Sequence, residues 1–122
     1  MAYVSQELKK ELVASVKKVL PKNWKVTFGV RHHSTFVIKI HSAPIDLLEN
    51  FDDYSKNKRY GQPNIYHLGH TYSGDLLKIF EKIKTAANIK NYDNSDIQTD
   101  YFDVGYYVDI RIGEFDKPFE VK

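Results

Sequence analysis

The chain has 122 residues, 42% of them hydrophobic and 14% aromatic, a net charge of +2 and no cysteine. That length suits a single domain, residues 1–122, and excludes two ordinary ones; the missing cysteine excludes disulfides, thiolate metal sites and cysteine nucleophiles. No apolar run is long enough to span a bilayer, and Met1 to Lys10 holds no apolar signal segment, so a cytoplasmic protein without a membrane partner is expected.

Leu8, Leu12, Val16, Val19 and Leu20 recur at helical spacing and predict a first helix over residues 5–20. Ser5 is placed to cap its free N–H groups, and Pro21 stops it. Trp24, Val26, Phe28 and Val30 alternate with Lys25, Thr27 and Gly29, the pattern of a strand with one buried face. Arg31, His32, His33 and Ser34 form a polar hairpin turn. Phe36, Ile38 and Ile40, alternating with Val37, Lys39 and His41, form a second strand antiparallel to the first. Ser42, Ala43 and Pro44 can open a short helix, with Ser42 as cap and Pro44 in the first turn, turning Ile45, Leu48 and Phe51 inward; continued strand from Ile45 to Leu48 is the alternative. Residues 52–72 read as a long irregular segment of the kind that carries function or moves.

Leu76, Leu77, Phe80, Ile83 and Ala87 predict a helix over residues 74–88, capped by Ser73 with Asp75 in its first turn. Residues 91–100 are turn-rich. A last strand over residues 104–112 sets Tyr106, Val108, Ile110 and Ile112 on one face and Tyr107, Asp109 and Arg111 on the other, with Gly113 ending it and Pro118 discouraging a long terminal strand. The expected fold is α+β: a small antiparallel sheet of three to four strands with two or three helices packed on one face.

Catalytic signals are absent from this pattern. Neighbouring His32 and His33 point apart in extended chain and suit a polar turn better than a shared ion. His67 and His70 lack a third ligand nearby in sequence, which a zinc site needs. The segment 92–100 lacks the glycine and terminal glutamate of a calcium loop, and nothing in the spacing of Asp96, Asp100, Asp103 and Asp109 demands magnesium. No phosphate loop, dinucleotide fingerprint or nucleophile elbow occurs. No enzymatic activity, metal or cofactor is therefore expected.

Charge is unevenly placed. Residues 1–90 carry 15 Lys and Arg against 8 Asp and Glu, a balance of +7, while residues 91–122 carry 3 against 8, or −5. Lys17, Lys18, Lys22, Lys25, Arg31, Lys39, Lys56, Lys58 and Arg59, interleaved with Trp24, Tyr54 and Tyr60, could hold phosphates and stack on unpaired bases. Nucleic acid is thus one possible partner.

Two segments resemble a family of small uncharacterised proteins of bacteriophages and mobile elements. One is Val30-Arg31-His32-His33-Ser34-Thr35, followed by an alternating apolar strand. The other runs from Asn94-Ser95-Asp96-Ile97-Gln98-Thr99-Asp100 through Tyr101-Phe102-Asp103-Val104-Gly105-Tyr106-Tyr107-Val108-Asp109, with Asp116-Lys117-Pro118 after it. Tyr72-Ser73-Gly74 is also similar, and the layout resembles a large polyvalent protein associated domain. Asn is expected in that family where His32 stands here. The resemblance covers about two-thirds of the chain. It implies phage-like origin, action in the bacterial host cytoplasm and no catalytic residue.

The sequence therefore points to a binding protein that inhibits a bacterial defence system, of the anti-CRISPR or anti-restriction type, by contact with a host protein or protein–nucleic-acid complex. Tyr101, Phe102, Asp103, Tyr107, Asp109 and Arg111, with Lys56, Lys58, Arg59 and Tyr60 from the irregular segment, are the expected contact residues. The face bearing Tyr107, Asp109 and Arg111 could equally pair two copies as a homodimer.

Overall fold

A computed structural model describes residues 3–91, 105–114 and 116–122. The chain runs α1 (Gln6–Val19), β1 (Lys25–Arg31), β2 (Thr35–Ala43), α2 (Asp53–Lys58), a single 3-10 turn (Leu68–His70), α3 (Gly74–Ala87), β3 (Tyr107–Ile112) and β4 (Glu120–Val121). The α+β class and the packing of helices against a four-stranded sheet match the sequence expectation. Ser5 caps α1, its side chain accepting from the Leu8 N–H at 3.1 Å. Ser73 stands at the cap position of α3 but makes no side-chain cap bond.

The sheet is built on β2, which pairs with β1 along one edge and with β3 and then β4 along the other. The β1–β2 hairpin is antiparallel as expected, while β3 and β4 run parallel to β2. The reason for the parallel pairing is one crossover. After β2, Tyr72 Oη donates to the Leu47 carbonyl at 3.1 Å and Asn50 Nδ2 to the Thr71 carbonyl at 2.9 Å, so α3 starts near the end of β2. At the other end of α3, Tyr106 Oη donates to the Ala87 carbonyl at 2.7 Å, and Tyr107 pairs with Thr35 at the start of β2. The helix has 14 residues, so at ~1.5 Å per residue it carries the chain back over about 21 Å. The next strand must then run in the same direction as β2. Asn91 fixes that return, its side-chain amide donating to the Tyr106 carbonyl at 2.9 Å and accepting from the Tyr106 N–H at 3.0 Å.

One core lies between the helices and the inner face of the sheet. Leu12 and Val16 of α1, Phe80 and Ile83 of α3, Phe36, Ile38 and Ile40 of β2, and Ile110 and Ile112 of β3 are fully buried in it. Trp24 and Tyr72 both pack on the Phe80 ring, at centroid distances of 5.7 and 4.1 Å. Burial pushes the Tyr72 phenol far above the usual tyrosine range.

The short helix expected from Ser42 does not form. Strand β2 continues through Ala43, with Ser42 buried and paired to Lys25 on one side and Glu120 on the other. Two strands available to take its backbone groups outweigh a local cap. Leu47 and Leu48 are buried beyond it in a turn, while Ile45 is exposed. The segment 52–72 is more ordered than its composition suggests: Asp52 caps α2 by accepting from the Ser55 N–H at 2.8 Å, and Gly61 bridges to Ile112 in both directions at 2.8 Å. The turn-rich residues 92–100 and the start of the last strand, at Val104, lie outside the described residues.

Two local geometries yield stability predictions. His32 and His33 both have positive φ, 55° and 58°, as a type I′ hairpin turn requires. Such angles favour Asn and Gly over His. Replacing His32→Asn together with His33→Gly should raise unfolding free energy by about 1–2 kcal/mol in urea titrations. Gly113 has φ +69°, and a Cβ there would lie 2.5 Å from the Arg59 carbonyl oxygen and 2.6 Å from the Phe119 nitrogen. Gly113→Ala should therefore cost about 2–4 kcal/mol in the same measurement.

Candidate functional site

The outer face of the sheet is the candidate site. Thr27, Gly29 and Arg31 of β1 lie beside Lys39, Val37 and Thr35 of β2, which in turn lie beside Arg111, Asp109 and Tyr107 of β3. Val37 is only 3% exposed, yet it is outside the core cluster formed on the inner face. Long charged side chains shelter it, their alkyl stems lying over apolar surface while their heads stay wet. Lys39 is the clearest case: its ammonium and last methylene lie over Gly29, and Nζ is 3.1 Å from Glu114 Oε1.

Among the described residues, three clefts flank this face. The smallest, 170 Å³, has Gly29 and Val37 with Arg31, Lys39, Arg111 and Glu114 around it. A second, of 430 Å³, is bounded by Arg111, Glu114 and Asp116 together with Ser55, Tyr60 and Gln62. Arg111 stands in the wall between the two. Its Nε is buried and has no hydrogen-bond partner among the described residues.

The third cleft, 390 Å³, surrounds His41 with Lys25, Thr27, Lys117, Glu120 and Lys122 among its walls. The pairing shifts register here: Val26 faces Ile40 and Lys25 faces Ser42, leaving His41 unmatched as a bulge. A bulge re-aims its side chain, and the ring reaches across to Thr27, with Oγ1 and Nε2 2.7 Å apart. A hydroxyl on an imidazole can begin a nucleophile–base pair, but such a pair also needs a third group to orient the ring. No hydrogen bond to the other ring nitrogen is formed among the described residues.

Of the expected contact residues, Tyr107, Asp109 and Arg111 do share the outer face, and Tyr107 is 46% exposed. Tyr60 joins them at the wall of the 430 Å³ cleft. A hydrogen bond with Tyr54, with a smaller part from burial, holds the Tyr60 phenol above its ordinary pKa. Lys56 and Lys58 are exposed on α2.

Arg59 has an internal task. It ends α2 in the left-handed region at φ 61°, its guanidinium lies 3.0 Å from Asp46 Oδ1 and over the Phe119 ring, and its carbonyl accepts the Phe119 N–H at 2.6 Å. Burial alone would raise the Asp46 carboxyl, but hydrogen bonds from Arg59 and the Leu48 N–H outweigh it and hold the pKa below the usual range. Tyr101, Phe102 and Asp103 lie outside the described residues. Trp24, expected among base-stacking aromatics, is 8% exposed and committed to Phe80.

Sequence reading missed Gly29 and the Thr27–His41 pair. The interruption of an alternating strand by Gly29 was the available signal for the hollow. The bulge that brings His41 to Thr27 has no signature in either strand alone.

His41 gives a pH prediction. Burial lowers its pKa from 6.5; Glu114 opposes that shift, and Lys117, Lys25 and Lys39 reinforce it. The unfolded chain therefore binds this proton more readily, so stability should fall as pH drops below 6.5 towards the folded-state pKa. In ring-proton NMR titrations the His41 midpoint should lie below 6.5, fall further in Glu114→Gln and rise in Lys117→Gln. A midpoint unchanged by either substitution would contradict this electrostatic account.

No protein-family model, curated protein or solved structure matches this chain.

Proposed function

We propose that this chain is a phage- or mobile-element-encoded binding protein. In this reading it inhibits a bacterial defence complex in the host cytoplasm by docking the outer face of its sheet on a protein of that complex, with no chemical turnover. The observation that carries the proposal is a sheet face bearing Tyr107, Asp109 and Arg111 side by side with Arg31 and Lys39. An exposed aromatic supplies a contact anchor, and charges of both signs set register and exclude wrong partners. The origin and the host target rest on the sequence resemblance of segments 30–35 and 94–109 and are part of the proposal.

Nucleic acid fits this face less well. Trp24 is buried, Arg59 is bound to Asp46 and Lys39 to Glu114, which removes a stacking ring and two of the expected phosphate contacts. The distinguishing measurement is capture from lysates of bacteria that carry CRISPR or restriction systems. Tagged native protein should retain a defence-complex component in stoichiometric amount. A Tyr107→Glu/Asp109→Lys variant with unchanged circular dichroism should retain at least about tenfold less. Equal capture by the variant, or tight oligonucleotide binding that weakens steeply with salt, would overturn the proposal.

A further inference from the structure

We infer that the hollow bordered by Gly29 and Val37 is a binding site for a single oxyanion, a carboxylate or a phosphoryl group, held by Arg111 with Arg31, beside the Lys39–Glu114 ion pair. Two independent features of the face support this inference.

The first is Gly29. Glycine weakens a strand interior and often marks a close approach by a ligand or another chain. Here no backbone conformation requires it, because its φ is not in the left-handed region. Sterics do not require it either. A Cβ at this position would meet only the end of Lys39, at an ordinary 3.9 Å. What the missing side chain does is leave room for a hollow of 170 Å³ bordered by Gly29 and Val37 and roofed in part by the end of Lys39.

The second is Arg111. Its Nε is a buried donor without an acceptor among the described residues. A buried unsatisfied donor is costly, more so on a charged group. Asp109 lies two residues away on the same strand face, and Glu114 is taken up by Lys39 at 3.1 Å; no hydrogen bond from either to Nε is formed. Three cations and one carboxylate line the hollow, with Asp109 beside Val37 and Asp116 across Arg111 in the neighbouring cleft, so cations outnumber carboxylates in the lining itself. A guanidinium presents its donors in a planar fork that matches a carboxylate or a phosphate. Such a ligand would pair with the guanidinium and offset the positive charge of the lining.

The inference deepens the proposed docking face by naming the chemical group that would enter it: an acidic side chain if the ligand is a carboxylate, a phosphorylated one if it is a phosphate. It is tested without any partner, so its failure and the failure of the docking proposal are separable. The ¹⁵N-labelled protein is titrated with sodium phosphate, sodium acetate and, as control, sodium chloride at constant ionic strength. The Arg111 Nε–H and Gly29 amide resonances are followed.

Saturable shifts of both resonances with phosphate or acetate, at least about fivefold larger than with chloride, are expected; whichever anion saturates at lower concentration identifies the ligand class. Gly29→Val fills the hollow with a residue suited to a strand and should keep the native melting temperature within a few degrees while abolishing the saturable shift of the Arg111 Nε–H. Arg111→Gln should abolish the saturable shift of the Gly29 amide. Linear shifts equal to those with chloride, or undiminished saturable binding by Gly29→Val, would overturn the inference.

Discussion

Strand β2 concentrates the desolvation on which the rest of the molecule depends. Phe36, Ile38 and Ile40 are fully buried on its inner face and Val37 is nearly so on the outer one. Each such side chain contributes about 1.5–3 kcal/mol when fully buried. The strand also donates and accepts along both edges, to β1 on one side and to β3 and β4 on the other. An apolar strand sealed on two faces and two edges leaves its neighbours little freedom. β1 must hairpin onto it, and α3 must return the chain to its start before β3 can pair.

A second constraint locks the rim. Gly113 turns the chain out of β3, its N–H donating to the Ile40 carbonyl at 2.8 Å, and Glu114 and Lys117 exchange two backbone hydrogen bonds. Phe119 then returns under Arg59, taking its carbonyl while its ring lies below the guanidinium. The left-handed backbone of Arg59 costs of order 1 kcal/mol, and it is held there by bonds on every side: Ser55, Asp46 and Phe119. This joint ties α2, the turn after β2 and the terminal strand into one body. It also places Tyr60, Glu114 and Asp116 around Arg111. The rim of the candidate site is thus fixed by backbone geometry, and its side chains project from an ordered frame.

The outer face is electrostatically mixed. Lys39 with Glu114 and Lys122 with Glu120 are exposed or half-exposed pairs, each worth little to stability. Their consequence is arrangement. By occupying Glu114, Lys39 leaves Arg111 Nε without an acidic neighbour bonded to it. Burial first, and then the charges of Lys117, Lys25 and Lys39 against the opposing Glu114, favour a neutral imidazole at His41 beside Thr27. A partner that brings acidic groups would find unspent positive charge at the centre of the face and a Tyr107 ring at its end.

Much of the fold was legible in the chain because period and burial coincide. The leucines and valines of α1, the alternation of β1 through β2, and Tyr106 to Ile112 place their apolar residues on the core side as their spacing predicts, with Val37 on the outer face the exception. The cap read at Ser5 and the stop at Gly113 follow from local chemistry, while Ser73 stands at the cap position without a side-chain cap bond. Tertiary structure decided the direction of β3, the extension of β2 through Ser42, and the order in residues 52–72. It also decided which charges are engaged: Arg59 and Lys39 read as free cations in sequence and are paired in space, whereas the buried Arg111 Nε is not. The physical reason is range. Helix and strand periodicity are set by neighbours a few residues apart, but strand direction, bulges and ion pairs depend on groups that only the folded chain brings within a few ångströms.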